Sequence, residues 1–173
     1  SLVVWGSAGA GAVLDWQPAR WPGEVWRAWS AAWVHLSTRH LLANLAGGAL
    51  VVALGIAARV PVRAAVAWAL AWPLTHVGLL LTPPLAHYGG LSGVLHAGVA
   101  VAAVSLWRLG GRPRRLGAAI GLVLLAKLLI ETPSRGALTQ PDGWDIAVAP
   151  WAHVSGAAIG ALLAALLLRR PRR

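Results

Sequence analysis

The sequence predicts an all-α membrane protein: a bundle of six transmembrane helices with an interfacial first loop. Three observations lead there. The composition is too apolar for a soluble core, the apolar residues fall into six long runs without alternation, and the arginines collect in every second connection between those runs. Of the 173 residues, 58% are hydrophobic and 12% charged, whereas soluble domains carry about 25% charged residues. Mean hydropathy is +0.66. Such an apolar excess points to a chain whose solvent is the bilayer.

The runs cover residues 2–14, 40–58, 64–82, 91–107, 116–131 and 147–168. Most approach the roughly 20 residues that a bilayer requires. A chain in lipid must satisfy its backbone internally, and these long Ala/Leu/Val stretches do so as helices. Pro73 lies inside the third run, where it removes a helical hydrogen bond and is expected to kink the span. The first run is short and lacks the basic start and cleavage pattern of a signal peptide. The chain opens at Ser1 without an initiator Met, so this run is expected to be the remnant of a longer first span. With no internal repeat and no linker, residues 1–173 are expected to form one transmembrane domain.

The net charge of +10 comes from 14 arginines and one lysine against five acids. A basic chain can bind nucleic acid, but here the charges sit at the ends of apolar runs, which reads as topology. Arg59 and Arg63 follow the second run, Arg108, Arg112, Arg114 and Arg115 the fourth, and Arg169, Arg170, Arg172 and Arg173 the sixth. Six crossings put these ten on one side, which the positive-inside bias makes cytoplasmic. The other side holds Arg20, Arg27, Arg39 and Arg135 with Asp15, Glu24, Asp142 and Asp145. Between Trp16 and Trp33, five Trp fall within eighteen residues. Trp26, Trp29 and Trp33 share a helix face, so this segment is expected to lie in the outer leaflet, where Trp prefers to sit.

Polar groups within membrane spans are costly and need a reason. Three clusters stand at the outer ends of spans: His40-Leu41-Leu42-Ala43-Asn44, Gly90-Leu91-Ser92-Gly93-Val94-Leu95-His96, and His153-Val154-Ser155-Gly156. Taken singly each has an ordinary explanation, since a His near a helix end is usually interfacial and an Asn often bridges helices. Together, at one depth on one side, they supply a hydroxyl, an imidazole and side-chain donors, the groups that acyl transfer requires. His-Glu-x-x-His is absent, and all three Asp lie in loops, which disfavours metalloprotease and aspartyl chemistry. There is no Cys, hence no disulfide and no thiolate metal site. No metal or other cofactor is expected. Lys127 is expected to snorkel or to pair with Glu131 one turn later. His76 and His87 read as interfacial. Gly156 and Gly160 form a small-residue face that would let the sixth span approach the fourth closely. Asp145 lies in the loop before the sixth run and Glu131 ends the fifth, and the sequence places neither beside His153, so a Ser-His dyad is expected.

Trp26-Arg27, His35, His40-Leu41-Leu42-Ala43-Asn44, Gly90-Leu91-Ser92-Gly93 and His153 resemble the rhomboid family in order and spacing, over residues 24 to 165. The resemblance implies a six-helix bundle and serine proteolysis in or near a transmembrane segment, without metal or cofactor. It makes Ser92 the nucleophile and His153 the base. It lets His40 and Asn44 line the oxyanion site, with Gly90, Leu91 and His96 around them, His96 packing on the catalytic ring. The stretch Tyr88 to His96 resembles the rhombosortase branch, although Ala97 separates His96 from Gly98 where that branch usually has His-Gly. That branch implies, as partner, a bacterial surface protein with a C-terminal sorting tail: a Gly-Gly motif, a span and a basic end. It places the enzyme in the bacterial cytoplasmic membrane with its site facing the periplasm. General rhomboid proteolysis, a non-catalytic client-binding protein and a small transporter are the competing functions. A transporter would spread polar groups through the bilayer depth, and here they cluster at one end.

The arginine pattern makes a topological prediction. Reporter fusions after Arg63, Arg115 and Arg173 will report cytoplasm, and fusions within residues 132–145 will report the periplasm. A periplasmic signal from the C-terminal fusion would exclude six crossings.

Overall fold

The computed structural model describes residues 8–131 and 133–168. Seven α-helices are present among them: α1 (Ala8–Leu14), α2 (Arg27–Ser30), α3 (Thr38–Ala57), α4 (Val62–Val77), α5 (Ser92–Leu109), α6 (Gly111–Ile130) and α7 (Pro150–Leu167). No strand occurs among the described residues, only isolated bridges between Trp16 and Tyr88 and between Thr139 and Val148. Five helices are long and apolar enough to cross a membrane: α3, α4 with its 3₁₀ extension to Leu81, α5, α6 and α7. The expected first span falls partly outside the described residues, and its described part is the seven-residue α1.

The five long helices start and stop where local chemistry requires. The Ser37 hydroxyl accepts from the His40 amide and caps α3, satisfying a backbone donor that the helix leaves free. Pro150 opens α7 at a position where its missing N–H costs nothing. Pro73 lies within α4, and the Thr75 hydroxyl donates to the Ala71 carbonyl at 2.7 Å.

α5 is the most buried span and α6 the least. α5 sits at the centre, packed against α7 and α4 behind it, with α3 and α6 as outer walls. The α5–α7 contact is backbone on backbone. A Cβ added to Gly156 would lie 1.9 Å from the Gly93 carbonyl oxygen, and one added to Gly160 would lie 2.4 Å from that of Ala97. This is the close small-residue approach expected from the spacing of the two glycines. α6 lies along α5 in the same way at Gly117, whose added Cβ would meet the Ala103 carbonyl at 2.5 Å. At the arginine-rich end, Arg108 donates to the Ala165 carbonyl at 2.6 Å, and Leu54, Ala57, Leu109 and Arg112 line a shared crevice. Exposed Leu, Ile and Val cover the outward faces, among them Leu50, Ile56, Leu122, Val123 and Leu166, as lipid contact demands.

The segment between α1 and α3 divides its tryptophans. Trp26, Trp29 and Trp33 are half-exposed, with Trp29 and Trp33 against Trp72 of α4 at ring separations of 6.1 and 5.5 Å. Trp16 departs from the interfacial expectation: it is fully buried, in a cluster with Ala31, Leu79, Tyr88 and Ala152. Its backbone bridges Tyr88 in both directions, at 2.7 and 2.9 Å. Arg27 is buried as well, donating to the Asp15 carboxylate at 3.1 Å and to the Asp15 carbonyl at 2.8 Å. It also pairs with Glu24, whose carboxyl is held below its ordinary pKa by the Arg27 and Arg20 guanidiniums beside it. His76 is fully buried, against the expectation of an interfacial group. Its Nδ1–H donates to the Ala28 carbonyl at 2.6 Å, so it ties α4 to the loop instead of facing the headgroups.

The α5–α7 contact should therefore be intolerant of added volume. Gly156→Ala will destabilise the bundle in detergent by about 1–3 kcal/mol, the usual cost of overpacking. Gly121→Ala on α6, where an added Cβ meets nothing within 4 Å, will be neutral or slightly stabilising. Thermal unfolding of the two variants side by side checks this, and equal midpoints would contradict the packing argument.

Candidate active site

Ser92 is the first residue of α5 and His153 sits in the first turn of α7. Because the two helices touch through glycine, their side chains meet. The Ser92 hydroxyl donates to His153 Nε2 at 2.9 Å. His153 is 5% exposed, so its ring orientation is held by its surroundings. On one face it stacks against His96, with ring centroids 4.1 Å apart and planes 12° from parallel. His96 lies one turn after Ser92 and is itself anchored, its Nδ1–H donating to the Ser92 carbonyl at 2.6 Å.

The dyad expectation needs one geometric correction. His153 Nδ1 is not free: its N–H donates to Glu131 Oε2 at 2.7 Å. The other carboxylate oxygen of Glu131 accepts from Lys127 Nζ at 2.6 Å. Spacing alone suggested the Lys127–Glu131 pair, since the residues are one helical turn apart. The third contact depends on where α7 comes to lie beside the end of α6, and no local pattern encodes that.

Opposite the Ser-His pair stand His40 and Asn44, four residues apart on the inner face of α3 and both buried. The Leu36 amide donates to His40 Nδ1 at 3.3 Å. In the neutral ring the proton is then on Nε2, which faces the Gly90 turn: a Cβ added to Gly90 would lie 2.8 Å from it. The Asn44 Nδ2 amide is buried with no hydrogen-bond partner. Leaving such a donor unpaired costs about 1–3 kcal/mol, and among the described residues the amide stands free to donate to an acceptor in the groove that Asn44 lines. His35 packs edge-on to His40, with centroids 5.0 Å apart. Burial lowers its pKa, and its Nδ1–H donates to the Trp33 carbonyl at 3.2 Å.

The turn that delivers Ser92 is fixed from below. Gly90 has φ +138°, a conformation open to glycine and strained for any other residue. Its amide donates to the Ala31 carbonyl at 2.9 Å, so it shapes the turn and makes room for His40 instead of offering an N–H to substrate. The Tyr88 hydroxyl donates to the Gly90 carbonyl at 3.3 Å, and burial, which raises its pKa, keeps it a donor. Leu91 occupies the N-cap position of α5. Ser155, the other serine near His153, is committed to packing: its hydroxyl donates to the Thr75 carbonyl at 2.8 Å. His87, beside the turn, donates to Asp15 Oδ2 at 2.6 Å from an exposed position.

These groups share the floor and walls of a groove of about 1390 Å³ that opens between α3 and α6. Above it runs the connection from α6 to α7, paired to itself by two 2.8 Å hydrogen bonds between Thr139 and Val148. Arg39, near the start of α3, holds this connection by donating to the Gly143 carbonyl and lying over the Trp144 ring at 5.2 Å.

His96, Glu131 and His153 each present a possible metal-ligand atom, all within 4.8 Å of one another. Their arrangement fits hydrogen bonding better. The two imidazoles are stacked nearly parallel, so their in-plane lone pairs run side by side instead of converging on one ion. Both His153 nitrogens are already engaged, by Ser92 and by Glu131.

Residues 22–170 match the Rhomboid domain family. The chain belongs to the rhomboid family. That family comprises serine intramembrane proteases that act on membrane-protein substrates within the bilayer, and the five apolar spans make this chain a multi-pass membrane protein. No curated protein matches it.

The stacked pair predicts the behaviour of His96. Phe at this position keeps a flat ring against His153 while losing the bond to the Ser92 carbonyl. His96→Phe will retain substantial proteolysis, within about tenfold of the parent, whereas His96→Ala will lose more, because an unsupported ring leaves its productive rotamer. Initial cleavage rates decide this. A loss in His96→Phe as complete as in His153→Ala would make His96 a proton carrier.

Proposed function

We propose that this rhomboid-family chain is a serine-type intramembrane endopeptidase, with Ser92 as nucleophile and His153 as general base. One observation carries the reading. In the described residues, a serine hydroxyl at a helix N-terminus donates at 2.9 Å to a buried imidazole, at the floor of a groove open between two apolar helices.

The chemistry follows from those positions. His153 Nε2 takes the Ser92 proton as Oγ attacks the scissile carbonyl carbon, giving a tetrahedral intermediate. Its oxyanion is met by donors already in place: the Asn44 amide, the His40 Nε2–H and the backbone N–H at the start of α5, which has no helical partner. The helix dipole at that terminus adds positive potential. The C–N bond then breaks, the leaving amine takes the proton from His153, and the acyl group stays on Ser92. A water molecule, deprotonated by His153, attacks that ester and releases the second product.

The reading extends to orientation and substrate. The ten arginines that the sequence places after the second, fourth and sixth apolar runs favour six spans within one domain over residues 1–173. Both termini would lie in the cytoplasm of a bacterial cell, with Ser92 and His153 near the periplasmic face. The stretch from Tyr88 to His96 favours, as substrate, a surface protein with a C-terminal sorting tail. Such a tail presents a Gly-Gly motif, which leaves a helix readily because Gly costs about 1 kcal/mol relative to Ala in a helix interior. A following span holds the substrate in the bilayer, and a basic end sets its direction.

The test uses purified protein in proteoliposomes and two reporters, each with one span and an Arg-rich end. The Gly-Gly reporter will be cut, the same reporter with Leu-Leu will be spared, and a fluorophosphonate will label Ser92. Ser92→Ala and His153→Ala will abolish cleavage while inserting normally. Equal cutting of both reporters would reject sorting-tail specificity. Retained cleavage in Ser92→Ala would reject the nucleophile, and an inert, unlabelled parent would leave client binding as the function.

A further inference from the structure

We infer that Glu131, held by Lys127, is a positioning residue for His153, so that a chain of hydrogen bonds runs from Lys127 through Glu131 and His153 to Ser92 across α6, α7 and α5. The inference rests on the proteolytic reading above and adds to it a group whose placement the Ser-His pair alone does not explain.

Glu131 is in an expensive place. It ends an apolar helix whose other faces meet lipid, at the C-terminus, where the helix dipole disfavours negative charge. Its side chain is only 23% exposed. A carboxylate retained against both costs needs partners, and both of its oxygens have one. Oε1 accepts from Lys127 at 2.6 Å and Oε2 from His153 Nδ1 at 2.7 Å. Ion pairing within α6 would need only Lys127. The second contact reaches across to a helix that α6 otherwise barely touches.

The effect on His153 is specific. An imidazole base must present a bare nitrogen to the hydroxyl it deprotonates and carry its ring proton on the other nitrogen. A carboxylate at Nδ1 selects that tautomer, because it can only accept. It also fixes rotation of the ring, whose stacking on His96 leaves the in-plane direction free. When Nε2 receives the Ser92 proton, the ring becomes cationic while shielded from solvent. A fixed negative charge 2.7 Å from Nδ1 opposes that cost at the moment it arises. Lys127, its side chain 47% exposed, keeps the carboxylate turned so that Oε2 remains available to the ring. No proton needs to reach Glu131 at any step.

The experiment compares the parent with Glu131→Ala, Glu131→Gln and Glu131→Asp in the full chain, reading kcat and KM on a cleaved reporter, fluorophosphonate labelling rate at Ser92, and thermal stability. Glu131→Ala and Glu131→Gln will lower kcat by about tenfold or more, with KM within about two-fold of the parent and labelling slowed in parallel. Glu131→Asp will recover part of that loss. Gln keeps the size of the side chain, so it remains informative if Ala disturbs folding. The parent will show a far-downfield proton resonance from His153 Nδ1–H, lost in His153→Ala and in Glu131→Ala. Glu131→Ala and Glu131→Gln variants that keep parental kcat, even with lowered thermal stability, would reduce Glu131 to a structural tie and overturn the inference. If the parent neither cleaves nor labels, the proteolytic reading fails on its own. The resonance then decides the remaining question: its presence and its loss in Glu131→Ala support positioning, and its absence from the parent rejects it.

Discussion

The backbones of α5 and α7 can touch only because Gly93, Gly156 and Gly160 offer no Cβ where they cross. The rest of the candidate site follows from that approach. Ser92 begins one helix and His153 sits in the first turn of the other, and neither side chain is long. With ordinary side chains at the crossing, helix axes stand about 8–10 Å apart; the glycines allow a closer approach, and within it the Ser92 hydroxyl meets the His153 ring at 2.9 Å. Helices that meet through glycine gain contact between backbones, the kind of packing that holds in lipid, where burial of apolar surface gives no driving force between spans. The same approach puts Ser155 against α4, where its hydroxyl finds the Thr75 carbonyl and is withdrawn from chemistry.

A second constraint is the absence of water to satisfy stray polar groups. The turn from Tyr88 to Leu91 has no regular structure, and it is tolerated at this depth because protein groups take up its backbone. Trp16 bridges Tyr88 in both directions, and Ala31 receives the Gly90 amide. The segment supplying those partners is held in turn by buried Arg27, which binds Asp15, and by His76, which binds Ala28. The long loop between α1 and α3 thus has two duties. Its exposed tryptophans suit the interface, while its inner side supports the Ser92 turn through backbone hydrogen bonds and the Trp16 cluster.

Much of this was legible in the sequence because polar residues are conspicuous in apolar runs. The five long spans, the proximity of the Ser92, His153, His40 and Asn44 clusters, and the close-packing role of Gly156 and Gly160 could all be drawn from period, depth and residue type. What escaped depended on tertiary placement. The sequence offers Glu131 and Asp145 alike as acids near His153 and places neither, because Lys127 one turn away already pairs with Glu131 and no local pattern says where α7 lies. The second oxygen of Glu131 is used only because α7 brings His153 alongside. His76 looked interfacial because it lies near a helix end, yet the segment around α2 folds over that end and buries it. Trp16 was one of five similar tryptophans, and nothing local marks it as the one that turns inward.

The helices also divide the work by how firmly they are held. Ser92 and His153 belong to α5 and α7, which are locked by backbone contact to each other and flanked by α4. The groups around them come from the outer walls: His40 and Asn44 from α3, Glu131 and Lys127 from the end of α6. α3 meets α5 through side chains set against glycine, Leu95 at Gly47 and Val51 at Gly98. The groove is lined from both of these walls, so a chain segment lying in it would meet His40, Asn44 and Glu131 beside Ser92 and His153. α6 too meets α5 backbone on backbone, at Gly117, so Glu131 is carried to His153 on a helix anchored to the same central span as the helix of His153.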